Sequence, residues 1–246
     1  NGIIKKTKAK ALQNSISEEL NIKLDADLLN NPQLVINHLN KQKEIVVQDV
    51  KNKLYLISNT GKILWKKQLD GPVLGQIDQI DIYKNGRLQL AFTTPHKLYI
   101  IDRNGNDVSP FPGNFNDAIT QPLSVFDYEK TKNYRLLITQ GKNILMYDTS
   151  LKTVDGFNFK SANNTIISQP QHFRIGTKDY IAFKTQNKLY FLDRTGNIRI
   201  NPKTTSTFSN EAIYVYNDKF ITTSAEGNLI TIDTRGNSVS QNLNLS

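Results

Sequence analysis

Cysteine is absent from the 246-residue sequence, which rules out disulfides, thiolate metal sites and a cysteine nucleophile together. Tryptophan and methionine occur once each and histidine three times. The histidines, His38, His96 and His172, show neither i, i+4 nor HExxH spacing, so the sequence offers no metal-ligand set. A GxSxG nucleophile elbow is missing, and so are the glycine-rich phosphate loops. No apolar run approaches the roughly 18 residues that a membrane-crossing helix needs, and no signal peptide is visible.

What remains is ordinary globular material, 38% hydrophobic and 22% charged, which argues against wholesale disorder. The net formal charge of +9 is large enough to attract nucleic acid or anionic lipid. Apart from Lys5, Lys6, Lys8 and Lys10, however, the basic residues are scattered. Nucleic-acid binders cluster their charge, so the excess reads as a basic surface without a dedicated nucleic-acid site.

A repeat dominates the chain. One apolar segment recurs five times, as KLYLI from Lys53, KLYII from Lys97, NILMY from Asn143, KLYFL from Lys188 and NLITI from Asn228, at spacings of 44, 46, 45 and 40 residues. These are strand-forming runs bounded by turn residues. In four of the five both alternating faces are apolar, which requires cover on both sides of the sheet. A turn follows: Ser58-Asn59-Thr60-Gly61, Asp102-Arg103-Asn104-Gly105, Asp193-Arg194-Thr195-Gly196 and Asp233-Thr234-Arg235-Gly236. Asp, Asn or Ser opening a turn with Gly three positions later suits a type I turn that returns the chain as a hairpin. The third copy, Asp148-Thr149-Ser150-Leu151, lacks the Gly, and its hairpin is expected to be longer or irregular.

A second landmark keeps step with the first, centred on Pro32, Ile77, Pro122, Pro170 and Glu211 at spacings of 45, 45, 48 and 41 residues. Two strand-like runs lie between the landmarks, such as Ser124 to Tyr128 with Tyr134 to Thr139, giving four strands per unit. Four short strands at this period fit an all-β fold, a β-propeller of about five four-stranded blades, better than a barrel or sandwich. The expected blades are residues 32–75, 76–120, 121–168, 169–209 and 210–246, with residues 1–31 leading in. Gly2 to Lys6 looks like the fourth strand of another unit, so either it closes the ring or the chain belongs to a larger propeller; the second is the expectation. Ser15-Ile16-Ser17-Glu18 has the spacing of a helix capping box.

The stretch Leu54 to Leu69, LYLISNTGKILWKKQL, resembles the blade repeat of the quinoprotein-like propellers: an apolar strand, a turn ending in Gly, then a strand carrying Trp. That resemblance implies a propeller and a family holding both quinone-dependent dehydrogenases and non-enzymatic members such as the outer-membrane assembly lipoprotein of bacteria. The enzymes place a docking Trp in most blades and commonly a vicinal Cys pair over the cofactor. Here Trp65 stands alone, its counterparts being Val108, Ile200 and Val239, and Cys is absent, so no cofactor is expected.

Three candidate features remain. Gln76, Gln121 and Gln169 recur at the start of an inner strand and would converge on the central channel, where amides can bind a polar ligand or, alternatively, satisfy backbone groups between blades. Asp102 to Asp107 looks like a calcium loop but lacks the distal bidentate Glu, so hairpin geometry explains it better. Phe111, Phe115 and Phe157, in inter-blade loops, are expected to be partly exposed. The functional expectation is a non-catalytic scaffold with a protein partner, in a bacterial cell envelope. The alternative is a small-ligand or enzymatic site at the channel mouth.

Overall fold

The computed structural model describes residues 21–242. The expected strand at Gly2 to Lys6 and the capping box at Ser15 to Glu18 lie outside the described residues. Nineteen β-strands and no α-helix account for the regular structure of the described residues. The first sheet joins β1 (Gln33–Ile36), β2 (Lys43–Gln48), β3 (Lys53–Ile57) and β4 (Ile63–Gln68). The second joins β5 (Asp78–Ile80), β6 (Gln89–Thr93), β7 (Lys97–Ile101) and β8 (Gly113–Asn114). The third has three strands, β9 (Ser124–Phe126), β10 (Arg135–Gln140) and β11 (Asn143–Tyr147). The fourth comprises β12 (Gln171–Ile175), β13 (Lys178–Lys184), β14 (Leu189–Leu192) and β15 (Ile198–Ile200). The fifth comprises β16 (Tyr214–Tyr216), β17 (Lys219–Thr223), β18 (Leu229–Ile232) and β19 (Ser238–Gln241). Every neighbouring pair is antiparallel and each sheet runs in sequence order, the meander of a β-propeller blade.

The hairpins follow from the turn residues. Asp102 Oδ1 accepts the N–H groups of Asn104 at 2.8 Å and Asn106 at 2.9 Å, and Gly105 takes φ +83°, the left-handed conformation that opens the returning strand. Asp193 and Asp233 bond their turns in the same pattern. The Asp148 turn corrects the sequence expectation. Its Oδ1 accepts from Ser150 at 2.8 Å and Lys152 at 3.0 Å, so the turn keeps its length, with Leu151 itself at φ +58° in place of Gly. The irregularity falls one step later. The fourth strand of that unit is reduced to isolated bridges, Tyr147 with Thr153 and Asn143 with Ser161.

Burial explains the two-sided apolar strands. Leu54 to Ile57, Leu98 to Ile101 and Leu189 to Leu192 are buried on both faces, because one core cluster fills each seam between consecutive sheets. At the first seam Trp65 lies against the turn of the next sheet, where a Cβ on Gly105 would stand 2.9 Å from its Cδ2. Phe157 and the Phe159 backbone close on Gly196 in the same way at the third seam. Phe111 and Phe157 are therefore buried, against expectation, and only Phe115 is half-buried. Inter-blade loops fill seams here, which takes their aromatic residues out of water.

Ion pairs also cross the seams. Glu44 of the first sheet pairs with Arg103 of the second, Asp81 of the second unit with Lys132 of the third, and Glu129 of the third with Arg194 of the fourth. In these three pairs the acid belongs to the earlier unit and the base to the later; Lys67 of the first sheet with Asp107 of the second unit runs the other way.

The two ends of the row differ. The outer face of the first sheet (Val47, Tyr55, Ile57) is covered by Ile22 and Leu24 of the preceding segment, whose Asp25 is held by Lys53 at 2.7 Å and Lys66 at 2.6 Å. The corresponding face of the fifth sheet carries Tyr214, Ile221, Thr231 and Val239 in register, with Tyr214 and Val239 exposed. No core cluster among the described residues joins the first sheet to the fifth.

Candidate functional site

Two of the three sequence-predicted glutamines, Gln121 and Gln169, sit at a seam and bond backbone there rather than converging on a channel. Gln121 donates its amide N–H to the Ile166 carbonyl at 3.0 Å, and Gln169 reciprocates with a bond to the Leu123 carbonyl at 2.7 Å. Both amides thus hold the approach of the third sheet to the fourth. Gln76 is exposed and makes no side-chain hydrogen bond among the described residues. Two glutamines outside the predicted set do the same work at the first seam. Gln33 donates to Gly75 O and accepts from Ile77 N, and Gln79 donates to Ile36 O and accepts from Ile36 N. A primary amide has the donor and acceptor pattern of a peptide group, so these side chains substitute for a strand partner between blades that share no ladder.

The histidines are dispersed. His96 bonds the Phe115 carbonyl, and His172 bonds Asp179 at 2.7 Å. Asp179 is buried beneath Arg174 and Arg194, whose Nε atoms lie 2.9 Å and 2.5 Å from its two oxygens. Burial alone would push this carboxyl up, but the bonds from Arg174, His172 and Arg194 outweigh it and hold the group at about 2. Arg194 also lies over the Tyr128 ring and pairs with Glu129, so the cluster is closed within itself.

A cleft of about 650 Å³ opens on the end of the row that carries the first hairpin turns. Three turns distant in sequence build it. The β1–β2 turn supplies His38 and Leu39, the β5–β6 turn supplies Tyr83 and Arg87, and the turn after β7 supplies Asp102 and Arg103. Leu39 is 73% exposed and Tyr83 59%, two large apolar groups standing at the cleft with no core to join.

Its polar groups are fixed by the local chain. His38 Nδ1 accepts the Leu88 N–H at 3.2 Å, tying the first unit to the second. Burial, followed by the charges of Arg103, Arg87 and Lys41, lowers the His38 pKa, so the imidazole is neutral and carries its proton on Nε2. Arg103 is anchored at both ends of its residue. Its guanidinium pairs with the buried Glu44, and its carbonyl accepts the Trp65 indole N–H at 2.7 Å. The Arg103 Nε has no partner among the described residues. Asp102 is consumed by its own turn, and Asp107 pairs with Lys67 at 3.0 Å. Arg87 is exposed and makes no ion pair among the described residues. The cleft therefore presents apolar surface beside the exposed Arg87, which is its cation without an ion pair among the described residues.

Nothing in the linear sequence marks this cleft, since its residues come from turns of two units and none forms a motif. The available signal was the pairing of turn residues at equivalent repeat positions, which places the β1–β2, β5–β6 and β7 turns on one rim.

No protein-family model matches the chain, and no curated protein matches it in sequence. Solved structures do match in fold. The chain is similar to BBS1N in its complex with ARL6DN at 14% identity and a TM-score of 0.59, covering 89% of this chain and 68% of that one. It is similar to BamB from Moraxella catarrhalis at 17% identity and a TM-score of 0.55, covering 87% and 64%. It is also similar to Sqt1 of Saccharomyces cerevisiae at 15% identity and a TM-score of 0.52, covering 86% and 58%. The chain spans about two thirds or less of the length of these structures. At such identities the likeness concerns the fold alone, and with the sheet topology it makes the chain a β-propeller.

Proposed function

We propose that this chain is a non-catalytic β-propeller that serves as a protein-interaction scaffold, and that the cleft between its first two sheets receives the partner. The carrying observation is the pair Leu39 and Tyr83, exposed at 73% and 59% beside Arg87 and Arg103. An exposed tyrosine next to arginine is the composition that binding energy favours at protein interfaces, and Leu39 adds apolar area beside it. The complex of BBS1N with ARL6DN supports the reading, as a structural neighbour held together with another protein. A setting in a bacterial cell envelope belongs to the same proposal, and cell fractionation tests it.

Site-specific crosslinking tests the role itself. A photoreactive residue at Tyr83 should form one discrete protein adduct that the same probe at Lys51, in the β2–β3 turn on the opposite rim, does not. The Leu39→Asp variant, folded to the same thermal midpoint, should lose that adduct. Equal labelling from Lys51, or labelling unaffected by Leu39→Asp, contradicts the reading.

A further inference from the structure

We infer that the cleft selects an acidic segment of its partner, one in which carboxylates flank a large apolar side chain. The inference rests on the protein-binding reading and adds the chemistry of the ligand. Charge bookkeeping at the cleft carries it. Of the two acids at its wall, Asp102 accepts three hydrogen bonds within its own turn and Asp107 is paired with Lys67. Of the cations, Arg103 is paired with the buried Glu44, and the exposed Arg87 has no acidic partner among the described residues. His38 is held neutral, so it adds a hydrogen-bond donor at Nε2 and no competing charge. The cation left without an ion-pair partner is Arg87, beside turns that the seam bonds of Glu44 and Trp65 hold in place.

The geometry suits a carboxylate better than a diffuse polyanion. A guanidinium presents paired N–H donors that match the two oxygens of a carboxylate. The adjacent Leu39 and Tyr83 side chains offer apolar contact that a nucleic-acid backbone does not use. A cavity of about 650 Å³ lies within the range that holds a few side chains.

The test uses the full chain and a fluorescein-labelled peptide containing Asp-Glu-Leu-Phe-Glu, compared by anisotropy with the Asn-Gln-Leu-Phe-Gln peptide and with a single-stranded oligonucleotide. The acidic peptide should bind at least about tenfold more tightly than the neutral one, and its affinity should fall between about 50 mM and about 300 mM salt. Arg87→Glu should weaken it by at least about tenfold, Arg87→Lys by less, and neither should shift the thermal midpoint because Arg87 is exposed. Equal affinity for both peptides, or an Arg87→Glu effect on the oligonucleotide alone, overturns the inference. If the peptides are bound without regard to charge while crosslinking from Tyr83 still yields its adduct, the acidic class is wrong and the scaffold reading stands. Loss of the adduct as well removes both.

Discussion

Leu151 lies over Gly113 across the seam between the second and third sheets, so closely that a Cβ on Gly113 would stand 2.8 Å from both Leu151 methyl carbons. At the first seam the large residue, Trp65, comes from the earlier sheet and the glycine, Gly105, from the next turn. At the second seam the roles are exchanged. The turn that lacks glycine supplies the large side chain, and β8 of the earlier sheet supplies the glycine. The left-handed backbone at Leu151 costs about 1–2 kcal/mol, which this packing offsets.

Gly113→Val should therefore destabilise the protein by on the order of 1–3 kcal/mol through overpacking. Adding Leu151→Ala should restore part of that loss. A double-mutant cycle by denaturant unfolding measures it, and the two changes should couple by about 0.5–3 kcal/mol. Additive effects would show that the two residues do not share the space.

Gly196 and Gly227 have nearly the same backbone, at φ +79° and +83°, and different surroundings. A Cβ at Gly196 meets the Phe159 backbone nitrogen at 2.7 Å, whereas at Gly227 nothing lies within 4 Å. Both alanine variants carry the left-handed penalty of about 1–2 kcal/mol, but only Gly196→Ala must also move a seam. Thermal melts should show the larger loss for Gly196→Ala; equal losses would deny that the third seam is closed at this turn.

Lys184 is fully buried with its Nζ donating to Thr222 Oγ1 at 2.6 Å, and burial lowers its pKa from 10.5 to about 8. A lysine with a lowered folded pKa opposes folding below that value, and the penalty is relieved as pH rises through the window from about 8 to 10.5. Lys184→Met should raise the thermal midpoint at pH 7, and its advantage should shrink across that window. An advantage independent of pH would place the effect in packing alone.

Asp179 behaves oppositely. Its carboxyl is held at about 2, so its contribution is complete above 3.8 and is lost as pH falls from there toward 2. Asp179→Asn leaves Arg174 and Arg194 without their shared acid and should cost on the order of 1–3 kcal/mol at pH 7. The difference between the two proteins should vanish near pH 2. A difference that persists there would mean the ionised carboxylate is not what is lost.

Much of the fold was legible because its causes are periodic. KLYLI, KLYII and KLYFL are apolar on both faces, and the structure covers both; in NLITI the uncovered face carries Thr231, which matches a strand covered on one side only. The Asp turns were legible from Asp and Gly alone. The Asp148 turn was not, because what allows Leu151 its conformation is a glycine in another strand, 38 residues away in sequence. The buried Phe111 and Phe157 were misjudged for the same reason: a loop's exposure depends on whether it fills a seam. The cleft was invisible, since His38, Arg87 and Arg103 become neighbours only when two sheets pack, and the glutamines showed their position in the repeat but not the backbone groups they would meet.

The measurement that tests the central claim most directly is hydrogen exchange of the full chain alone and with the protein trapped by the Tyr83 crosslinker. The account predicts that protection gained on binding concentrates in residues 37–42, 82–88 and 102–109, the three turns of the cleft. Protection confined to β16 and β19, on the uncovered face of the fifth sheet, would contradict it.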